Sequence, residues 1–202
     1  MNLSDTPVSA LLLAAMLIAS LVGLFKAPAW LDRNLFRPYW FLRRRQYASF
    51  VSSAFLHADL PHLAFNAFTF WAFAFTLERR LGSVTFLALY AVGLAVSNAG
   101  TYFKHRHQPE YQSLGASGAI LAVLFAAIVY FPSNSIYILP IPVPIPAPLF
   151  ALAYLAYTYY AARHLSGRIN HDAHLSGALA GLAFVALTDA GAMGRAWQSV
   201  FG

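Results

Sequence analysis

Val8-Ser9-Ala10-Leu11-Leu12-Leu13-Ala14-Ala15-Met16-Leu17-Ile18-Ala19-Ser20-Leu21-Val22-Gly23-Leu24-Phe25 runs for 18 residues without a charged side chain. A helix of about 20 such residues crosses a bilayer, so the run reads as a membrane helix. No Lys or Arg precedes it, unlike the basic start of a signal peptide, and Ala27-Pro28-Ala29 is only a faint cleavage-like site. The run is therefore expected to be retained. Composition agrees. Of 202 residues, 59% are apolar and 10% are Asp, Glu, Lys or Arg, against about 45–50% and roughly 25% in soluble domains. Such a chain cannot cover a water-facing surface with charge, which excludes a soluble enzyme, a disordered tail and a nucleic-acid-binding module. The partner implied is the lipid bilayer.

Apolar runs separate at charged or Pro-rich breaks along the chain, predicting helices over about 8–25, 60–81, 84–103, 113–131, 149–163 and 172–187. Together they predict one all-α, six-transmembrane-helix domain over 1–202. Asp59 reads as the N-cap of the second helix, with Pro61 in its first turn, and Glu78-Arg79-Arg80 closes it. The segment 26–57 is too polar to span. It holds six of the thirteen basic residues, among Trp30, Phe36, Tyr39, Trp40 and Phe41, a composition suited to a membrane interface. The net charge of +6 is thereby read as interfacial. Prolines 140, 142, 144, 146 and 148 exclude a helix and predict an extended or polyproline II re-entry loop. Without cysteine, disulfides and thiolate chemistry are excluded.

Alternation brings helices two, four and six into the membrane from one face, so their first turns lie at similar depth. Those turns carry His62 and Asn66, Ser117, and His174. Polar groups at membrane depth are costly and usually functional. Serine, imidazole and amide have the makings of a nucleophile, a base and an oxyanion donor. Ser117 lies at a helix start, between Gly115 and Gly118, where free N–H groups and the positive dipole end favour an oxyanion. His174 shares a face with Gly177, and Gly177 with Gly181 permits close helix approach. His62 and Asn66, at i and i+4, share a face and can donate hydrogen bonds. His57, His62, His171 and His174 lack a nearby carboxylate and are not read as a metal site. His171 is placed at the mouth, and His105, His107 and His164 in solvated loops. Asp172 and Glu78 point or lie away from the His174 ring, so no acid is expected to orient it.

Three motifs then resemble one family. Phe55-Leu56-His57-Ala58-Asp59-Leu60-Pro61-His62-Leu63-Ala64-Phe65-Asn66, Gly115-Ala116-Ser117-Gly118 and Ala173-His174-Leu175-Ser176-Gly177 with Gly181 look, in order, like the rhomboid intramembrane serine proteases. Glu78-Arg79-Arg80-Leu81-Gly82-Ser83 resembles the family's helix-two ending. The resemblance implies a Ser117–His174 dyad, an oxyanion hole from His62, Asn66 and the Ser117 backbone N–H, a six-helix core, no cofactor, and single-pass transmembrane proteins as substrates. The alternative within that likeness is a catalytically inactive membrane-protein binder. Two departures stand out. Ala48-Ser49 occupies the spacing of the family's first-loop Trp-Arg pair, and Leu121 stands where many bacterial members stack an aromatic on the histidine.

The bacterial family topology implies an inner-membrane protein whose site opens to the periplasm. That would place ten basic residues outside (Lys26, Arg33, Arg37, Arg43, Arg44, Arg45, Lys104, Arg106, Arg163 and Arg168) and only Arg79, Arg80 and Arg195 inside. The positive-inside rule points the other way. A folded interfacial first loop, rather than a free one, would reconcile the two.

Overall fold

The computed structural model describes residues 5–138, 141–165, 167 and 169–202; Pro140 and Arg168, both used above, lie outside the described residues. Helix α1 is Pro7–Phe25, followed by three short helices, α2 (Pro28–Arg33), α3 (Pro38–Arg43) and α4 (Ser49–Ser52), and a 3-10 turn at Ser53–Phe55. Proline opens α1, α2 and α3, where its missing N–H costs nothing and its fixed φ is helical. The basic segment is thus a folded element. Phe36 is fully buried and meets Phe41 and Phe50 edge to face. Arg37 pairs with Asp32 at 2.6 Å, and Arg43 and Arg44 lie over the rings of Tyr39 and Trp40.

The long elements are α5 (Leu60–Leu81), α6 (Ser83–His105), α7 (Ser117–Tyr130), α8 (Ala147–His164), α9 (His171–Thr188) and α10 (Ala192–Phe201). The Asp59 carboxylate accepts the His62 N–H at 2.8 Å and caps α5. At the other end Gly82, at φ 79°, turns the chain into α6. Glu78 does more than close α5. Its buried carboxylate accepts the N–H groups of Val8 (3.1 Å) and Ser9 (2.7 Å) and the Ser83 hydroxyl (2.7 Å). No side chain of the Thr6 cap serves the α1 N-terminus. The carboxylate satisfies two of its orphan donors and sits at the positive end of its dipole.

Helix α7 is the centre of the bundle, buried from Gly118 to Val129. It begins at Ser117, later than the predicted 113, because Ser113 is engaged elsewhere. Its N–H and C=O each pair with Phe36 at 2.9 Å in an isolated antiparallel bridge. Across from it, α9 packs backbone to backbone. A Cβ on Gly177 would collide with the Gly118 carbonyl, and one on Gly181 with the backbone of Ala122.

Strands β1 (Ser135–Ile138) and β2 (Ile141–Pro146) form an antiparallel hairpin between α7 and α8, in register Ser135↔Pro146, Ile136↔Ile145 and Ile138↔Ile141. The extended conformation is the one the alternating prolines require. Pro142, Pro144 and Pro146 occupy alternate positions, so Ile141, Val143 and Ile145 keep their N–H groups for the partner strand. Ile136 is buried with Leu124, Phe125 and Ala147.

Among the described residues, three helices are long and apolar enough to cross a membrane: α1, α5 and α6. A fourth span is possible if α9 and α10, bent by 108°, count as one. The expected six-span count is therefore not matched helix by helix. Helix α7 has 14 residues, about 21 Å at 1.5 Å per residue, short of the roughly 30 Å hydrocarbon core. The protein is a multi-pass, helical membrane protein. Helix α10 was not expected from the sequence.

Candidate active site

Two local devices place Ser117. Gly115 adopts φ 119°, a conformation that disfavours any side chain, and its N–H donates to the Ser53 carbonyl at 3.0 Å. The chain then enters α7 with Ser117 as the first helical residue. Its N–H belongs to the turn that has no intrahelical acceptor.

His174 is placed by the start of α9. The Asn170 side chain accepts the Ala173 N–H at 3.0 Å and donates to Thr101 of α6 at 2.9 Å. The cap is thus Asn170. With Gly177 seated on Gly118, the α9 imidazole reaches the α7 hydroxyl, and His174 Nε2 lies 2.9 Å from Ser117 Oγ. The other ring nitrogen, Nδ1, lies 3.0 Å from the Tyr154 hydroxyl of α8.

His62 and Asn66 line the same cavity as Ser117 and His174, a space of about 870 Å³. The His62 ring rests on Gly115, where a Cβ would stand 2.9 Å from Cε1 and 3.0 Å from Nε2. Gly115 therefore serves twice, through its φ and through the room it leaves. Asn66 is buried and donates one amide hydrogen to the His62 carbonyl at 2.9 Å. Its second amide hydrogen remains for another acceptor. Lys104, Glu110, Asn170 and Asp172 add polar lining to the cavity, which makes it suited to hold water.

Asp172 does not turn toward His174. Its carboxylate meets Lys104 at 2.8 Å and His105 at 3.5 Å. His105 itself departs from the solvated position expected. It is buried at the end of α6 and stacks on Tyr111 with 3.5 Å between centroids. His171 lines the cavity and is also buried. Leu121 packs in the apolar cluster with Phe125 and Ala178 and leaves the His174 contact to Tyr154.

His57 stands behind His62, 4.8 Å between ring centroids and edge to face. It is fully buried. The Ser20 hydroxyl donates to the Phe55 carbonyl at 2.9 Å, so the 2.8 Å contact to His57 Nδ1 carries the imidazole proton. Burial first, and the neighbouring His62 second, push the His57 pKa down to about 3.

Among the described residues no group of three His, Asp or Glu side chains is close enough to hold a metal ion. A second, apolar groove of about 550 Å³ lies between α5 and α8, lined by Phe65, Phe68 and Phe73, by Phe150 and Tyr154, and by Ile136 of the hairpin.

Comparison with known proteins places the chain in one family. The family model described as "Rhomboid domain" matches residues 44–189. The chain is 35% identical over 137 residues to presenilin-associated rhomboid-like protein A, mitochondrial, of Danio rerio, covering 67% of this chain and 36% of that protein. It is 40% identical over 74 residues to the putative rhomboid protease YdcA of Bacillus subtilis, 36% of each. With rhomboid protein 1, mitochondrial, of Saccharomyces cerevisiae, identity is 29% over 142 residues, 67% of this chain and 40% of that protein. The matched stretch thus spans well under half the length of these relatives. The expected bacterial inner membrane with a periplasmic opening is not supported, since two of these relatives are mitochondrial by name.

Proposed function

The chain belongs to the rhomboid family, and on that premise we propose that it is an intramembrane serine endopeptidase cleaving single-pass membrane proteins. The observation that carries the reading is the 2.9 Å contact between Ser117 Oγ and His174 Nε2 at a polar cavity inside an apolar helix bundle. A serine becomes nucleophilic beside a base. Ser117 Oγ attacks the scissile carbonyl carbon as its proton passes to Nε2, and the carbonyl π pair moves to oxygen. The resulting oxyanion faces the Ser117 N–H, His62 and Asn66. Such charge would be severely destabilised in hydrocarbon, so these donors matter more here than in water. On collapse the C–N bond breaks, and the Nε2 proton goes to the leaving amine. A water from the cavity, deprotonated by Nε2, then releases the acyl group.

The six-helix arrangement belongs to this proposal too: α1, α5, α6, α7, α8 and α9 form the core, with the shorter members sheltered by the longer. The apolar groove between α5 and α8 is the route by which a substrate helix reaches Ser117 from lipid. A helix hides its carbonyls in hydrogen bonds, so substrates with helix-weakening residues near the cleavage site are favoured. The inactive-binder alternative has no observation in its favour, because serine and histidine are both present and in contact.

The test is cleavage of a model single-pass substrate in liposomes by wild type and Ser117→Ala. Cleavage by wild type alone supports the proposal, and equal cleavage by the mutant ends it.

A further inference from the structure

A histidine base needs its second nitrogen held, because the tautomer and ring orientation are set there. In soluble serine hydrolases a buried carboxylate does this. Here Asp172 is occupied by Lys104 and His105, and Leu121 offers only apolar packing. The group that meets His174 Nδ1 is the Tyr154 hydroxyl, at 3.0 Å.

The proton assignment follows from the chemistry required at the other nitrogen. To take the Ser117 proton, Nε2 must present a lone pair. Nδ1 therefore carries the hydrogen, and the Tyr154 oxygen accepts it. As Ser117 transfers its proton, the ring becomes an imidazolium and the Nδ1–H···O bond becomes charge-assisted, hence stronger. It strengthens only as charge develops, which is the property that accelerates a step. A neutral phenol also suits an apolar bundle, where an ionised carboxylate would carry a large desolvation cost.

Tyr154 is itself held. Phe150, one turn earlier on α8, stacks on it at 5.5 Å and 24°, and Phe125 of α7 lies at 5.9 Å. The same tyrosine lines the apolar groove between α5 and α8. We propose that Tyr154 is the positioning residue of the catalytic base, fixing the Nδ1–H tautomer of His174 and tying the base to the helix that walls the substrate groove. The proposal rests on the protease reading above and adds the residue that orients its base. No proton leaves Tyr154 in the cycle. The Ser117 proton travels to Nε2 and on to the leaving amine, while Nδ1–H stays on the ring throughout.

Tyr154→Phe removes the acceptor and keeps the ring and its stacking. A hydrogen bond to a charged group contributes about 1.5–3 kcal/mol, so kcat is expected to fall about 10- to 100-fold with KM within twofold. The rate of Ser117 labelling by a small fluorophosphonate should fall in parallel, since the probe does not need the groove. Tyr160→Phe, on the same helix but exposed and away from both cavity and groove, is the control and should change neither rate. In 15N-histidine-labelled protein, wild type should show the Nδ1-protonated tautomer of His174, assigned by its loss in His174→Ala, and Tyr154→Phe should lose or redistribute it.

Two results would overturn the proposal. One is a wild-type labelling rate in Tyr154→Phe, even with slower cleavage, because the tyrosine would then contact substrate rather than the base. The other is a wild-type histidine proton on Nε2. A wild-type protein that neither cleaves nor labels would instead sink the protease reading, and the nitrogen spectra would still decide the tautomer.

Discussion

Gly177 of α9 lies against the carbonyl of Gly118 of α7, with no room for a methyl group between them. This contact sits one residue beyond Ser117 and three beyond His174. The separation of nucleophile and base is therefore set by two glycines rather than by the reacting residues. Gly177→Ala should push the helices apart locally. A displacement near 1 Å in a catalytic pair costs about 10²-fold, and overpacking about 1–3 kcal/mol. Activity should fall far more than the melting temperature. A mutant with normal turnover would show that the pair is positioned some other way. Gly118→Ala, which would meet Ser97 and the Ala173 carbonyl, should behave alike.

His62→Ala and Asn66→Ala should each lower kcat by about 10²–10³ while KM stays near wild type, the pattern of a lost oxyanion donor. The motivation is their shared place beside Ser117 in the cavity. Steady-state kinetics on one substrate decides it. A change confined to KM would make them substrate-binding residues.

The base should tolerate loss of the nearest acid. Asp172 faces Lys104 and His105, so Asp172→Asn should keep most of the activity, whereas His174→Ala should abolish it. Losing a true triad acid costs about 10⁴. A loss of that size in folded Asp172→Asn would replace Tyr154 with a carboxylate as the orienting group.

That Ser117, His174, His62 and Asn66 line one cavity was expected from the alternation of the helices that carry them, and the glycines beside Ser117 and His174 mark where backbones meet. Tyr154 gave no such signal. Helix α8 holds four tyrosines, at 154, 157, 159 and 160, and no spacing rule says which one faces a histidine on the next helix. Glu78 read as a helix terminator because its partners, Val8 and Ser9, lie 70 and 69 residues away. The early start predicted for α7 had a similar cause, since the tertiary bridge from Ser113 to Phe36 and the positive φ of Gly115 keep these residues out of the helix. His105 looked solvated among charged neighbours, and its burial depends on a stack with Tyr111 across a turn.

His57 supplies a pH signature of stability. Its pKa is held at about 3 in the folded protein against an ordinary 6.5. Between these values the unfolded chain binds the extra proton and the folded one does not. Stability contributed by neutral His57 is therefore present above about pH 6.5 and is lost as pH falls toward 3, by up to about 1.4 kcal/mol per pH unit. Thermal melts in detergent across this window should show a steeper acid decline for wild type than for His57→Asn. Parallel curves would mean that His57 is not what destabilises the acid form.

The central claim is that Ser117 is a nucleophile activated by His174. The most direct measurement is mass spectrometry of protein treated with a fluorophosphonate in liposomes. The account predicts one adduct, on the peptide that contains Ser117, absent in both Ser117→Ala and His174→Ala while each mutant keeps a wild-type melt. Undiminished labelling in His174→Ala, or an adduct on another residue of folded wild type, would contradict it.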